Sequence, residues 1–74
     1  MVTVKVAKRL YQMTEDRSNK LLKVAADLVP FGVYAVRKGN YIELHNQKFE
    51  SRSALKRARR GLKEQGFQVY CNGL

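Results

Sequence analysis

Apolar and polar residues alternate along four stretches of the chain, which is the pattern of half-buried β-strands. Val33 to Arg37 and Tyr41 to Asn46 lie on either side of a turn signal, Lys38-Gly39-Asn40, and are predicted to form a hairpin. Phe67 to Cys71 alternates with aromatic and β-branched residues and predicts a last strand. Val2 to Val6 alternates in the same way and predicts a first strand.

Two further stretches carry apolar residues three and four positions apart, the spacing of one helix face. The first begins at Thr14 and ends before Pro30. The second extends from about Arg52 to Gln65. Ser51 or Ser53 can cap its start, and Gly66 is placed to close it in a left-handed conformation. Gly61 inside this helix costs about 1 kcal/mol relative to alanine, which predicts a close approach of the helix to the sheet. The apolar positions are Leu21, Leu22, Ala25, Leu28 and Val29 in the first helix and Ala54, Leu55, Ala58 and Leu62 in the second.

The two halves of the chain share a pattern. Phe31-Gly32-Val33-Tyr34 and Phe67-Gln68-Val69-Tyr70 each follow a predicted helix, so the chain reads as strand-helix-strand written twice. We therefore predict one domain, residues 1–74, with a ferredoxin-like βαββαβ fold: a four-stranded antiparallel sheet with both helices on one face. The alternative is a winged-helix-like fold in which residues 3–13 form a helix through Val6, Leu10 and Met13.

Two short resemblances agree with the first of these folds. Phe49-Glu50-Ser51-Arg52-Ser53-Ala54, together with Leu62 to Val69, resembles the half-motif of SPOR domains, which bind denuded peptidoglycan glycans on a βαββαβ fold. Lys38-Gly39-Asn40-Tyr41-Ile42-Glu43-Leu44 is similar to the third-strand signature of the RNA recognition motif, with one aromatic position kept. Both resemblances imply the same fold, and the first would imply glycan binding outside the cytoplasm.

Charge and composition narrow the classes of function. The chain has 15 Lys and Arg against 6 Asp and Glu, a net charge of +9, which points to acidic partners. Its 45% hydrophobic content predicts an ordered domain. The lone Cys71 and the absence of an apolar leader indicate the cytoplasm, with no membrane span. A single His45 far from Cys71 predicts no metal site, no cofactor and no enzymatic activity.

The second predicted helix carries the strongest electrostatic signal. Six cations lie within about three and a half turns of it, and Glu64 is its one acid. A solvated helix face normally mixes both signs, whereas guanidinium groups suit the geometry of phosphate. The cations predicted to bind phosphate are Arg52, Lys56, Arg57, Arg59, Arg60 and Lys63.

Strand alternation adds a second candidate surface. If Val4, Val33, Ala35, Ile42, Leu44, Phe67 and Val69 face the helices, three tyrosines face away from them, and aromatic rings stack on unpaired bases. The predicted platform consists of Tyr34, Tyr41 and Tyr70, with Lys5, Arg37 and Lys38 at its edges. The plainer interpretation is that tyrosine simply favours strands, and Glu43 in the middle of the face would repel phosphate.

The sequence therefore favours a non-enzymatic domain that binds nucleic acid, either RNA or DNA. The basic helix would bind the phosphates, and the tyrosine face would stack on the bases. The alternative is a small adaptor or inhibitor, of the type found in phages and mobile elements. Such a protein would bind an acidic surface of transcription or nucleic-acid-processing machinery through a few aromatic and arginine anchors, for example Tyr70 or Arg57.

Overall fold

The computed structural model of the chain describes residues 1–72 and contains five strands, two α-helices and one 3₁₀ helix. The elements are β1 (Val2–Val6), β2 (Arg9–Met13), α1 (Glu15–Asp27), a 3₁₀ helix (Val29–Phe31), β3 (Val33–Lys38), β4 (Tyr41–Asn46), α2 (Arg52–Glu64) and β5 (Gln68–Tyr70). The strands form one sheet in the order β2-β1-β4-β3-β5.

The α+β class and the predicted hairpin of β3 and β4 are confirmed, but the sheet is not the predicted four-stranded antiparallel one. It has five strands, and one of its two inner pairs, β1 with β4, is parallel. The other three pairs are antiparallel. The difference arises at β2, which reverses the chain before α1, so that β3 runs opposite to β1 and β4 runs along it.

β2 is the element that the sequence pattern missed. It forms a hairpin with β1 in which Val6 pairs with Arg9, leaving Ala7 and Lys8 as the turn. Tight hairpin turns need a positive φ and usually use Asn, Asp or Gly, whereas Ala7 adopts φ 56°. Because residues 2–6 and 9–13 are paired strands, the winged-helix-like alternative with a helix over residues 3–13 is wrong.

The left-handed conformation of Ala7 leads to a stability prediction. A Cβ in this region costs roughly 1–2 kcal/mol, and glycine removes that cost while adding entropy to the unfolded chain. We expect Ala7→Gly to stabilise the protein by about 1 kcal/mol, raising the Tm by about 4–8 °C in thermal unfolding. Lys8→Gly is the matched control, because Lys8 has no positive φ to relieve. An unchanged or lower Tm for Ala7→Gly would contradict the prediction.

The two helices lie on opposite faces of the sheet, which corrects the prediction of both on one face. Three consecutive residues of β3, Tyr34, Ala35 and Val36, are all buried, and successive strand residues point to opposite faces. Ala35 belongs to a core with Leu22 of α1, whereas Tyr34 and Val36 belong to a second core with Leu55 of α2. The sheet is therefore covered on both sides at β3.

Chain direction explains this arrangement. The connection from β2 through α1 to β3 and the connection from β4 through α2 to β5 both move the same way across the sheet. The two connections start from β2 and β4, which run in opposite directions, because β2 is antiparallel and β4 parallel to β1. Since crossovers between parallel strands are almost always right-handed, the two helices must fall on opposite faces.

The helix ends follow the predicted signals. Thr14 caps α1 by accepting a hydrogen bond from the backbone N–H of Arg17, and Ser51 caps α2 through the N–H of Ala54. Gly66 has φ 90° and closes α2 as predicted. The expectation for Gly61 is wrong: a Cβ built there would meet nothing within 4 Å, so no close approach to the sheet requires this glycine.

Candidate functional site

A cationic stripe runs along the exposed side of α2. The opposite side packs on the sheet through Ala54, Leu55, Ala58 and Leu62 in the second core. At about 100° per residue, five of the six predicted cations fall within roughly 100° of the helix circumference, while Arg57 lies beyond that arc. The cationic stripe consists of Arg52, Lys56, Arg59, Arg60 and Lys63, all of which are exposed.

Four of the five charges of this stripe are available to a ligand. Lys56, Arg59, Arg60 and Lys63 form no ion pair with any acid in residues 1–72. With four such cations close together, their mutual repulsion favours an anion that bridges them. The stripe is therefore the strongest anion-attracting feature of α2.

Two shallow, open grooves on the surface have one lysine of the stripe in common. The first, about 560 Å³, is lined by Lys56, Arg59, Arg60, Lys63 and Glu64. The second, about 550 Å³, lies along the sheet edge and is lined by Lys63 and by residues 66–70. We call the second one the β5 groove. Because Lys63 lines both, the cationic stripe leads directly to the outer edge of the sheet.

Lys38 is brought to the same place. Its Nζ donates a hydrogen bond to the carbonyl oxygen of Gln65 at 3.2 Å, at the negative end of α2, and lies 5.6 Å from the centre of the Phe67 ring. Its side chain also passes beside Gly66, one of the residues that line the β5 groove. The structure thus adds Lys38 to the site around Lys63.

Arg37 and Lys5, two other predicted cations, lie elsewhere. Arg37 donates to both carboxylate oxygens of Glu15, at 2.8 and 3.1 Å, and to the carbonyl oxygen of Gly39 at 2.8 Å. Its side chain is only 15% exposed. Because Glu15 is the first residue of α1, this ion pair links β3 to the start of α1. Lys5 lies on β1 opposite Glu43, and two strands, β4 and β3, separate it from β5.

The predicted tyrosine platform does not form. Tyr34 is only 3% exposed, because α2 covers its face of the sheet. Its ring stacks on His45 with centroids 5.0 Å apart and packs against Phe49. Tyr70 pairs with Ala35 and therefore points to the other face, where it packs against the first core. Val69, predicted to share the face of Ala35, instead pairs with Val36 and packs in the second core.

Tyr41 lies on the same face of the sheet as Tyr34, but its hydroxyl group is bonded to an acidic side chain. Its hydroxyl donates a hydrogen bond to Glu43 Oε2 at 2.8 Å, and Glu43 Oε1 lies 3.0 Å from His45 Nε2. The hydrogen bond to the carboxylate raises the pKa of Tyr41 above its ordinary value of 10.0. Burial, reinforced by Cys71 and Glu43, raises the pKa of Tyr34 as well. A negative charge thus lies where the platform was expected to stack bases.

The raised pKa of Tyr41 predicts a pH dependence. Because the folded state holds the proton more tightly than the unfolded state, the stabilisation is complete below pH 10 and is lost as the pH rises through the raised pKa. In denaturant unfolding, we expect the stability difference between the wild type and Tyr41→Phe to shrink as the pH rises above 10. Glu43→Gln should lower the pKa of Tyr41 in an absorbance titration. A stability difference that stays constant with pH would contradict this.

Four residues that line the β5 groove were not among the binding residues predicted from the sequence: Gly66, Phe67, Gln68 and Val69. The signal that could have found them is position: Gly66 ends α2 and turns the chain at once into β5, so these side chains must lie beside the last turn of the cationic helix. Gln68 is exposed there and accepts a hydrogen bond from the Tyr70 hydroxyl at 3.0 Å.

Comparisons with known proteins identify no family for this chain. Within residues 1–72, neither helix combines the length and the apolar character needed to cross a membrane. No protein-family model matches the chain, and no curated protein and no solved structure is significantly similar to it.

Proposed function

We propose that this chain is a non-enzymatic nucleic-acid-binding domain that holds the sugar-phosphate backbone along the cationic stripe of α2. The observation that carries the proposal is a set of exposed cations that line a groove and form no ion pair with the acids of residues 1–72: Lys56, Arg59, Arg60 and Lys63. A repeated anion such as a phosphate backbone can satisfy several of these charges at once.

The chemistry of the stripe suits phosphate in particular. The planar guanidinium groups of Arg59 and Arg60 can each donate two parallel hydrogen bonds to one phosphate, and the lysines act as point charges. Binding releases the counterions condensed on the nucleic acid, which makes the affinity strongly dependent on salt. The net charge of +9 extends the attraction beyond the contact surface and speeds association.

The roles of the tyrosines change relative to the sequence-based hypothesis. Tyr34 is buried and Tyr41 is bonded to Glu43, so neither supplies a ring for stacking in this proposal. Tyr70 lines the β5 groove beside Lys63 and remains a candidate. Apart from Glu64, the polar and aromatic side chains that line the proposed site are cations, an amide and aromatic rings. Such groups suit the binding of phosphates and bases.

The test is a fluorescence-anisotropy titration of the whole chain with single-stranded RNA, single-stranded DNA and duplex DNA at two salt concentrations. We expect saturable binding to at least one probe that weakens with salt and persists at near-physiological salt, about 0.15 M. Weak binding to all three probes that disappears at that salt concentration would overturn the proposal.

The second candidate function is the adaptor that binds an acidic protein surface. It is favoured by exposed apolar side chains around β2, the strand at the opposite edge of the sheet from β5: Leu10 is 64% and Tyr11 is 42% exposed. Aromatic residues next to arginines, here Arg9 and Tyr11, are typical anchors of protein interfaces. Pull-down with and without nuclease separates the two functions, since only a partner bound through nucleic acid is lost on nuclease treatment. In either role we propose a cytoplasmic location, where the lone Cys71 stays reduced.

A further inference from the structure

β5 is the outermost strand on its side of the sheet. It pairs with β3 through Ala35, Val36 and Arg37, and in the sheet order it has no neighbour on the other side. The backbone N–H and C=O groups on that outer side therefore have no sheet partner within residues 1–72. A strand edge of this kind can hydrogen-bond the polar edge of a ligand.

The β5 groove combines three kinds of group along this edge. Lys63 supplies a positive charge, Phe67 and Tyr70 supply aromatic rings, and Gln68 supplies an exposed amide. Tyr70 is partly buried: it packs against the first core and also lines the groove. Cation, ring and amide can contact three features of a nucleotide: its phosphate, the face of its base and the edge of its base.

We propose, on the basis of the function proposed above, that the site binds single-stranded nucleic acid in preference to a duplex. One strand lies with its phosphates on the cationic stripe of α2. It enters the β5 groove past Lys63, where an unpaired base stacks on Tyr70 and its polar edge meets Gln68 and the edge of β5.

The geometry favours one strand over two. In a duplex the base faces are stacked on one another and the Watson–Crick edges are paired, so neither Tyr70 nor Gln68 could reach them. A helix that reads duplex DNA inserts into the major groove, which is about 12 Å wide. Because the helix is 10–12 Å in diameter, both of its flanks then lie against the DNA. The five cations of the stripe instead lie on one part of the circumference of α2, and Lys63 among them also lines the β5 groove. A single strand can follow that path.

Tyr70→Leu tests the stacking contact. Leucine keeps an apolar side chain against the core and removes the ring. The matched control is Tyr11→Leu, because Tyr11 is the tyrosine of the opposite edge strand and is also partly exposed. In anisotropy titrations with labelled oligothymidylate, oligouridylate and duplex DNA of equal length, we expect Tyr70→Leu to weaken binding to a single strand by about fivefold or more. Duplex binding should not change, and Tyr11→Leu should leave both unchanged.

Gln68→Glu is a second variant that leaves the core untouched. It places a negative charge in the β5 groove and should weaken single-strand binding more than duplex binding. Gln12→Glu is its control, with the same change of net charge at the exposed far edge of the sheet. The two single-stranded probes distinguish RNA from DNA as the ligand.

The outcomes separate this inference from the proposed function. If the duplex binds as tightly as the single strands, or if both β5 variants match their controls, the single-strand inference is wrong while binding by α2 stands. If no probe binds at near-physiological salt, both proposals fail. A preference for single strands that both β5 variants reduce supports the inference.

Discussion

Replacing Arg59 and Arg60 together with alanine is expected to weaken nucleic-acid binding by about 25-fold at 0.1 M salt. Two lost phosphate contacts reduce the slope of log K against log salt by about 1.4, since each contact with a single strand accounts for about 0.7, and this slope sets the loss in affinity. The loss should be the same for different base sequences, because phosphate contacts carry no sequence information. The measurement is a salt series of anisotropy titrations with two oligonucleotides of different sequence.

The control for this experiment removes the same charge elsewhere. Arg17 and Lys20 are exposed on α1, which lies on the other face of the sheet from α2. Arg17→Ala with Lys20→Ala also lowers the net charge by two and should cost far less affinity, with little change in slope. If both double variants lose affinity equally, the attraction is generic to the charge of the protein and α2 is not the binding surface.

Ile42→Ala is expected to cause the largest loss of stability. Ile42 is 0% exposed and lies on β4 between β1 and β3, where it packs with Val4 and Leu22 in the first core. Truncating a buried isoleucine removes transfer free energy and leaves a cavity, at a cost of about 3 kcal/mol. A chain of 74 residues has a total stability of only about 4–11 kcal/mol. The Tm should therefore fall by roughly 15 °C in thermal unfolding.

Leu10→Ala is the matched control for Ile42→Ala. Leu10 is an aliphatic residue of similar size that is 64% exposed on β2. Its truncation should change the free energy of unfolding by less than about 0.5 kcal/mol. Equal losses for the two variants would mean that the first core is not centred on β4.

The cationic stripe could be predicted from the sequence. Lys38 and Tyr70 were also predicted to bind, but their positions beside the stripe could not be predicted. Helical periodicity alone separates Arg59 and Lys63 from the apolar positions of α2, since both belong to one continuous element. Whether Lys38 or Arg37 joins the stripe depends on contacts between distant elements. Lys38 reaches the end of α2 through Gln65, while its neighbour Arg37 points to the other face and pairs with Glu15.

The tyrosine platform failed for a related reason. Alternation within β3 correctly places Tyr34 and Ala35 on opposite faces of the sheet. It does not determine which face a helix covers. That depends on the two crossovers, and α2 covers the face on which Tyr34 lies. The register between strands matters as well, because pairing Tyr70 with Ala35 sends Tyr70 to the face opposite Tyr34.

The sequence by itself determined the α+β class, both helices, the hairpin of β3 and β4, and the charge of α2. These features follow from periodicity, capping residues and turn residues that act within a few positions of one another. Only the tertiary structure decided the hairpin at Ala7, the parallel pairing of β1 with β4, the opposite placement of the helices and the groove at β5. The turn at Ala7 contains no glycine or asparagine from which it could be predicted. Because it reverses the chain, it sets the direction of every later element. Strand order and face coverage are properties of the assembled sheet, in which the contacts join residues far apart in the chain.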